Sequence, residues 1–375
     1  MTMTIHTPAS LVKTFQDHLG GIKHHIREGI ERVIQSFNVE ALAKRASSVM
    51  GKECTSISPI AQGGYNSVFV VTFGDGTDVL IRIAGSSHNE PLSDELAKLV
   101  FDSEVATLKY LEANTTIPVP KIYYSNSDPE EAGAHFMIIE RLDGVNLDYV
   151  WYRMSDEQQE HIVAQWALMH AELSKQTFEA IGCLTTQAGA VGPLLPPSDE
   201  PYHLRKPHWG PFRSTPEFLE GHVRSALDGL AADSEKRPFL ERLLVAIRAL
   251  PEEQFHDERF VLSHGDLSIA NILYTPPSNV VGIIDWQGSS VLPVWATFLR
   301  SDFLCGMQNE VALRGMLETN EDATLPVALH PILWELLSLA TGNEDQGLQN
   351  LRTRIDALAG SFTWLSDPLL LLLEE

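Results

Sequence analysis

The chain has 375 residues, 44% apolar and 21% charged, which is ordinary for a folded protein and long enough for two lobes with a core. Lys and Arg number 27 against 50 Asp and Glu, a net charge of −23. That argues against nucleic acid and an anionic membrane face, which need a basic surface, and it is compatible with a cationic small substrate.

Cys54, Cys183 and Cys305 have neither redox nor metal spacing and read as reduced thiols. The N-terminus lacks a signal-peptide hydrophobic region, and the apolar run Pro368–Leu373 is too short to span a bilayer. A cytoplasmic protein is expected.

Residues 8–36 repeat Leu11, Phe15, Leu19, Ile22, Ile26, Ile30 and Val33 at helical spacing, with a break at Gly20–Gly21. Residues 1–37 are therefore set apart as a helical extension. A helix over about Val39–Met50 leads into strand candidates Cys54–Ile60, Val68–Phe73 and Val79–Ile83. Gly74-Asp75-Gly76 supplies a hairpin turn between the last two. Between the first two lies Gln62-Gly63-Gly64-Tyr65-Asn66-Ser67. Glycines there let backbone approach phosphate oxygens and present N–H donors, although a plain turn has the same composition.

A helix over about Asp94–Ala113 follows, with Ser93 as N-cap. Leu96, Val100, Leu108 and Leu111 form an apolar stripe on it, and Glu104 falls on that stripe. A carboxylate facing a core needs a cation. Arg82, between Ile81 and Ile83 on the third strand, is the natural partner.

Pro118 and Pro120 bar a helix, and His135–Ile139 reads as a buried strand. Glu140-Arg141-Leu142 then links a β-rich lobe, residues 38–144, to a larger helical lobe, residues 145–375. Ser155-Asp156-Glu157-Gln158 has the form of a capping box opening a helix to about Ser174. His170 on that helix reads as a structural histidine. Residues 182–216 are loop-rich, helices resume over about 216–232 and 235–250, and a short β region spans about 261–285. The remainder reads as mainly helical. It carries Asp302, Glu335, Glu344 and Asp345, which suit an amine-binding pocket or a solvated acidic surface equally.

The strongest signal is Ser263-His264-Gly265-Asp266-Leu267-Ser268-Ile269-Ala270-Asn271, followed by the apolar run Val280–Ile284 and Asp285-Trp286. Phosphoryl transfer needs a carboxylate to orient the acceptor hydroxyl and take its proton, and oxygen ligands for Mg²⁺. Asp266 and Asn271 have the separation of Asp and Asn in a kinase catalytic loop. Asp285 is expected to end a strand at a sheet edge. The expected roles are Asp266 as catalytic base and Asn271 and Asp285 as metal ligands, with His264 bracing the loop.

With Ile117-Pro118-Val119-Pro120-Lys121-Ile122, Ile139-Glu140-Arg141-Leu142-Asp143-Gly144, the His-Gly-Asp loop and the Ile-Asp-Trp strand, the chain resembles the aminoglycoside phosphotransferase and choline kinase-like family from about Phe37 onward. Gly210-Pro211-Phe212 and Ser214–Leu219 are similar to its fungal members. The resemblance implies a two-lobed α+β protein-kinase-like fold, with ATP and Mg²⁺ as cofactors and a small-molecule hydroxyl as acceptor. It implies nucleotide contacts from Gly63, Gly64, Asn66, Ser67, Arg82 and Glu104, and from the backbone of Glu140 and Leu142. Arg82 departs from the family, which places Lys there. The alternatives are a protein kinase and a catalytically inactive nucleotide-binding protein. Against the first, Asp285 is followed by Trp286-Gln287 rather than Phe-Gly.

Overall fold

The computed structural model describes residues 37–62, 66–84, 93–195, 208–277, 279–297 and Leu336. The helices expected over 8–36, the Gly63-Gly64 turn and the four acidic residues from Asp302 to Asp345 lie outside the described residues. The chain divides into two compact units, and the segment Ile272–Gln287 belongs with the first, which otherwise runs to Tyr149.

The first unit opens with helix α1 (Val39–Met50), capped by the Asn38 side chain accepting from Ala41 N and closed by Gly51 at φ 64°. Strands β1 (Cys54–Gln62), β2 (Asn66–Phe73) and β3 (Asp78–Ala84) follow. Helix α2 (Asp94–Asn114) carries the expected Ser93 cap. Strands β4 (Ile122–Asn126) and β5 (Phe136–Glu140) complete an antiparallel sheet of order β1-β2-β3-β5-β4.

Alternation along β2 and β3 sends Phe69, Val71, Phe73, Val79 and Ile81 into a core shared with Leu42, Ala43 and Ala46 of α1. The turn from β2 to β3 is held by Asp75, whose carboxylate accepts from Thr77 N at 3.0 Å and pairs with Lys52 at 2.8 Å. A second sheet of this unit follows strand β6 (Val145–Asn146), which pairs with a strand far later in the chain.

In the second unit, helix α3 (Asp156–Leu173) starts at a complete Ser155–Gln158 capping box. Strands β7 (Thr177–Phe178), β8 (Cys183–Leu184) and β9 (Val191–Gly192) follow, so the stretch expected as loop contains a short β8–β9 ladder. Helices α4 (Thr215–Gly229) and α5 (Arg237–Arg248) are shorter at their C-termini than the sequence pattern suggests. Strand β10 (Phe260–Ser263) leads to the His-Gly-Asp loop.

The chain then returns to the first unit as the hairpin β11 (Ile272–Thr275) and β12 (Asn279–Ile283), giving a sheet of order β12-β11-β6. Strand β13 (Ser290–Pro293) extends the β region beyond the expected limit at about 285, pairing with β10 in the order β13-β10-β7, and most of the remainder expected as mainly helical lies outside the described residues. No helix among the described residues is long and apolar enough to cross a membrane.

Candidate active site

Arg82 lies on the central strand of the five-stranded sheet, opposite Val68 on one side and Met137 on the other, and is buried. An unpaired guanidinium could not remain there. Its Nη1 donates to Glu104 Oε2 and its Nη2 to Asp285 Oδ1 at 2.6 Å. Burial alone would lower the Arg82 pKa, but the Glu104 and Asp285 carboxylates raise it.

Glu104 is buried on α2 among Phe101, Val105, Leu108 and Leu111. The buried face of α2 thus begins at Phe101, while Leu96 and Val100 of the expected stripe are half-buried. Burial pushes the Glu104 carboxyl up, and the Arg82 charge opposes that push.

Asp285 corrects one expectation. It does not end a strand: β12 stops at Ile283, and Asp285 sits two residues beyond with φ 63°. Among the described residues it is the non-glycine residue with positive φ. Asp tolerates that conformation better than most side chains, yet it is uncommon and concentrates at functional positions. The preceding turn is anchored by Trp286, which is buried and donates from its indole to Ile283 O at 3.0 Å.

Ser67 is fully buried, so a nucleotide contact from it would fall to its backbone. Asn66 turns its amide to protein, donating from Nδ2 to Gln287 Oε1 at 2.8 Å. Glu140 N donates to Lys121 O at 2.8 Å, and its carboxylate accepts from Lys121 N at 3.2 Å, which closes the end of β5. Leu142 packs over Gly282, where an added Cβ would stand 2.5 Å from Leu142 Cδ1.

Asp266 and Asn271 belong to the second unit. From β10 the chain passes through buried His264 to Gly265, at φ 86°. A Cβ at Gly265 would stand 2.9 Å from Gly288 O, so both conformation and space require glycine. His264 braces the loop as expected: its Nδ1 accepts from Asp266 N at 3.3 Å, and its carbonyl accepts from Ser289 Oγ at 3.1 Å. Leu267 is buried and pins the loop, while Asp266 next to it is exposed. Asn271 is buried and donates from Nδ2 to Asp266 O at 2.7 Å and to Asp266 Oδ2 at 3.2 Å. The amide nitrogen is thereby engaged, and Oδ1 is the ligand that Asn271 can offer.

Sequence reasoning missed Gln287, which accepts from both Asn66 and Arg82. Its signal was the residue pair Trp286-Gln287 standing where protein kinases have Phe-Gly.

Residues 56–298 match the model of the phosphotransferase enzyme family, APH. A subtelomeric hrmA-associated cluster protein of Aspergillus fumigatus is 25% identical over 308 residues, covering 64% of this chain and 58% of that protein. Clavilactone A biosynthesis cluster protein Y of Ampulloclitocybe clavipes is 27% identical over 250 residues, covering 61% and 59%. The chain thus spans less than two thirds of the length of these relatives. In fold it is similar to a protein of Ralstonia eutropha assigned as an aminoglycoside phosphotransferase, with TM-score 0.51, 16% identity and coverage of 90% and 98%. A protein of Thermobifida fusca assigned as a fructosamine-3-kinase gives TM-score 0.50 at 19% identity, covering 86% and 100%.

Proposed function

This chain belongs to the phosphotransferase enzyme family, and from that premise we propose that it is a small-molecule kinase moving the γ-phosphate of ATP onto a hydroxyl group. The observation that carries the reading is the buried Arg82 held between Glu104 of α2 and Asp285 after β12. A strand cation paired with a helix carboxylate is the arrangement by which kinases anchor nucleotide phosphates. A scaffold protein has no need to bury an ion pair such as Arg82–Glu104 for stability, since apolar packing does as well.

In this reading Asp266 receives the acceptor hydroxyl proton as that oxygen bonds to the γ-phosphorus and the bond to the departing ADP oxygen breaks. Asn271, donating to Asp266 Oδ2, orients the carboxylate. Arg82 steadies the phosphates. The segment Glu140–Leu142 lies against the adenine, and the Gly63-Gly64 backbone offers N–H donors.

Among the described residues no group of three His, Cys, Asp or Glu is gathered as a metal cage. The oxygens that Asn271 and Asp285 each carry are hard donors of the kind Mg²⁺ takes, and Mg²⁺ is commonly held by one or two protein ligands plus substrate phosphates. When bound, Mg²⁺ supplies neutralisation of the charge that develops on the phosphates.

The acceptor class we favour is a hydroxylated amine. A solved fold neighbour, an aminoglycoside phosphotransferase (TM-score 0.50, 12% identity), is a complex with ADP and hygromycin B. The net charge of −23 suits a cation.

The test is calorimetric titration of ATP with and without Mg²⁺, on the wild type and on Asp285→Asn. Metal-dependent binding that D285N weakens about tenfold or more is expected, the worth of one charged contact. ATP binding indifferent to metal in both proteins contradicts the metal assignment. A second reading, nucleotide binding without transfer, is favoured by the Arg82–Asp285 pair, which occupies one carboxylate oxygen of the metal ligand. Metal-dependent binding without turnover on any acceptor would select it.

A further inference from the structure

Arg82 and Gln287 are both departures from the kinase pattern, and the structure joins them. The Gln287 Oε1 accepts from Asn66 Nδ2 at 2.8 Å and from Arg82 Nη2 at 3.4 Å. Asn66 is the first residue of β2, so one carbonyl oxygen ties the start of that strand to the guanidinium on β3. The same Nη2 meets Asp285 Oδ1 at 2.6 Å, two residues before Gln287.

The chemistry explains why the two departures belong together. An ammonium is close to isotropic and is placed by its position alone. A guanidinium is a planar fork, and it serves two carboxylates at once only when its rotation is fixed. Glu104 on Nη1 and Asp285 on Nη2 define two directions. Asp285 is exposed and lies in a turn, so its hold on the fork is the weaker of the two. A third acceptor beside Nη2, itself secured by Asn66, removes the remaining freedom. The acceptor is also neutral. Glu104 and Asp285 already leave the cluster with one excess negative charge, and a third carboxylate would repel the phosphates.

We propose that Gln287 is a positioning residue of the phosphate-binding apparatus: it fixes the rotation of the Arg82 fork from the start of β2, and it is required because position 82 is Arg rather than Lys. This rests on the kinase reading above.

The test is a double-mutant cycle on Mg·ATP affinity, read by calorimetry, with thermal midpoints recorded alongside. Gln287→Met keeps the length and removes the acceptor. It is expected to weaken Mg·ATP binding about tenfold when residue 82 is Arg, the worth of a hydrogen bond to a charged group. In the Arg82→Lys background it is expected to change binding less than about twofold, since an ammonium needs no rotational restraint.

Equal losses in both backgrounds, or no loss with Arg82 present, overturn the proposal. So does an R82K protein that binds no Mg·ATP, because the interchange of fork and point charge would then fail. If Q287M does not fold, Asn66→Ala releases the same oxygen from its other side, and a loss confined to the Arg82 background supports the proposal while an equal loss in both overturns it. A wild-type protein that binds no Mg·ATP overturns the kinase reading and this inference together, whereas wild-type binding with Q287M unchanged overturns the inference alone.

Discussion

One base and one acid outside the site, each half-buried, make stability depend on pH in opposite directions. The Nε2 of His170 is sealed from solvent with no hydrogen-bond partner among the described residues, and its ring lies 4.2 Å from that of Trp166. Burial, reinforced by His264, lowers its pKa to about 4. The folded protein keeps it neutral where the unfolded chain protonates it, so its contribution is complete above pH 6.5 and lost as pH falls towards 4. Glu258 accepts from Thr215 N at 2.9 Å and from the Thr215 hydroxyl, and burial pushes its carboxyl up to about 7 against those bonds. The folded protein keeps it protonated, so its contribution is complete below pH 4.5 and lost as pH rises through 7. Each span is worth about 3 kcal/mol. Glu258→Gln is therefore expected to raise the denaturant midpoint at pH 8 and leave acid destabilisation steeper. His170→Phe is expected to flatten the acid side. Denaturant titrations from pH 4 to 8 check both, and parallel profiles for wild type and variants would contradict them.

At the scale of elements, what could be read from sequence was what is locally encoded. Ser93 and Ser155 each accept from a backbone N–H of the following turn, and those two helix starts followed from these residues alone, whereas the Ser214 cap emerged only in the structure. The hairpin turn at Gly74–Gly76 and the Glu104–Arg82 pair were also legible, the latter because a lone carboxylate on an apolar face demands a partner. Strands β6, β7, β8 and β9 have two residues each and show no period; their partners define them. Gln287 escaped for the same reason, since its partners lie 221 and 205 residues away.

The His-Gly-Asp loop owes its shape to packing of Gly265 against Gly288, which motif spacing does not reveal. Gly265→Ala would place a Cβ 2.9 Å from a backbone oxygen at φ 86°. We expect it to cost at least about 1–2 kcal/mol of stability. Turnover should fall by about 100-fold or more, as expected of a displaced catalytic group. Thermal unfolding and single-substrate kinetics measure the two effects, and an active G265A enzyme would mean that the loop geometry is not needed.

For the whole molecule, a net charge of −23 means self-repulsion that salt screens. The thermal midpoint is expected to rise between about 0.02 and about 0.2 M NaCl, where the Debye length shortens several-fold. A midpoint that falls over that range would show that attractive pairs such as Arg45–Glu131 outweigh the repulsion. If the acceptor is a cation, its KM should rise over the same range while that of ATP does not follow. The measurement that tests the central claim most directly is Mg²⁺-dependent ATP consumption across a panel of hydroxylated amines, aminoglycosides, sugars and phenols, run beside Asp266→Ala. The account predicts turnover with at least one acceptor and its loss, by about a thousandfold or more, in the variant whose carboxylate no longer orients and deprotonates the hydroxyl. Turnover that survives in D266A would contradict the account.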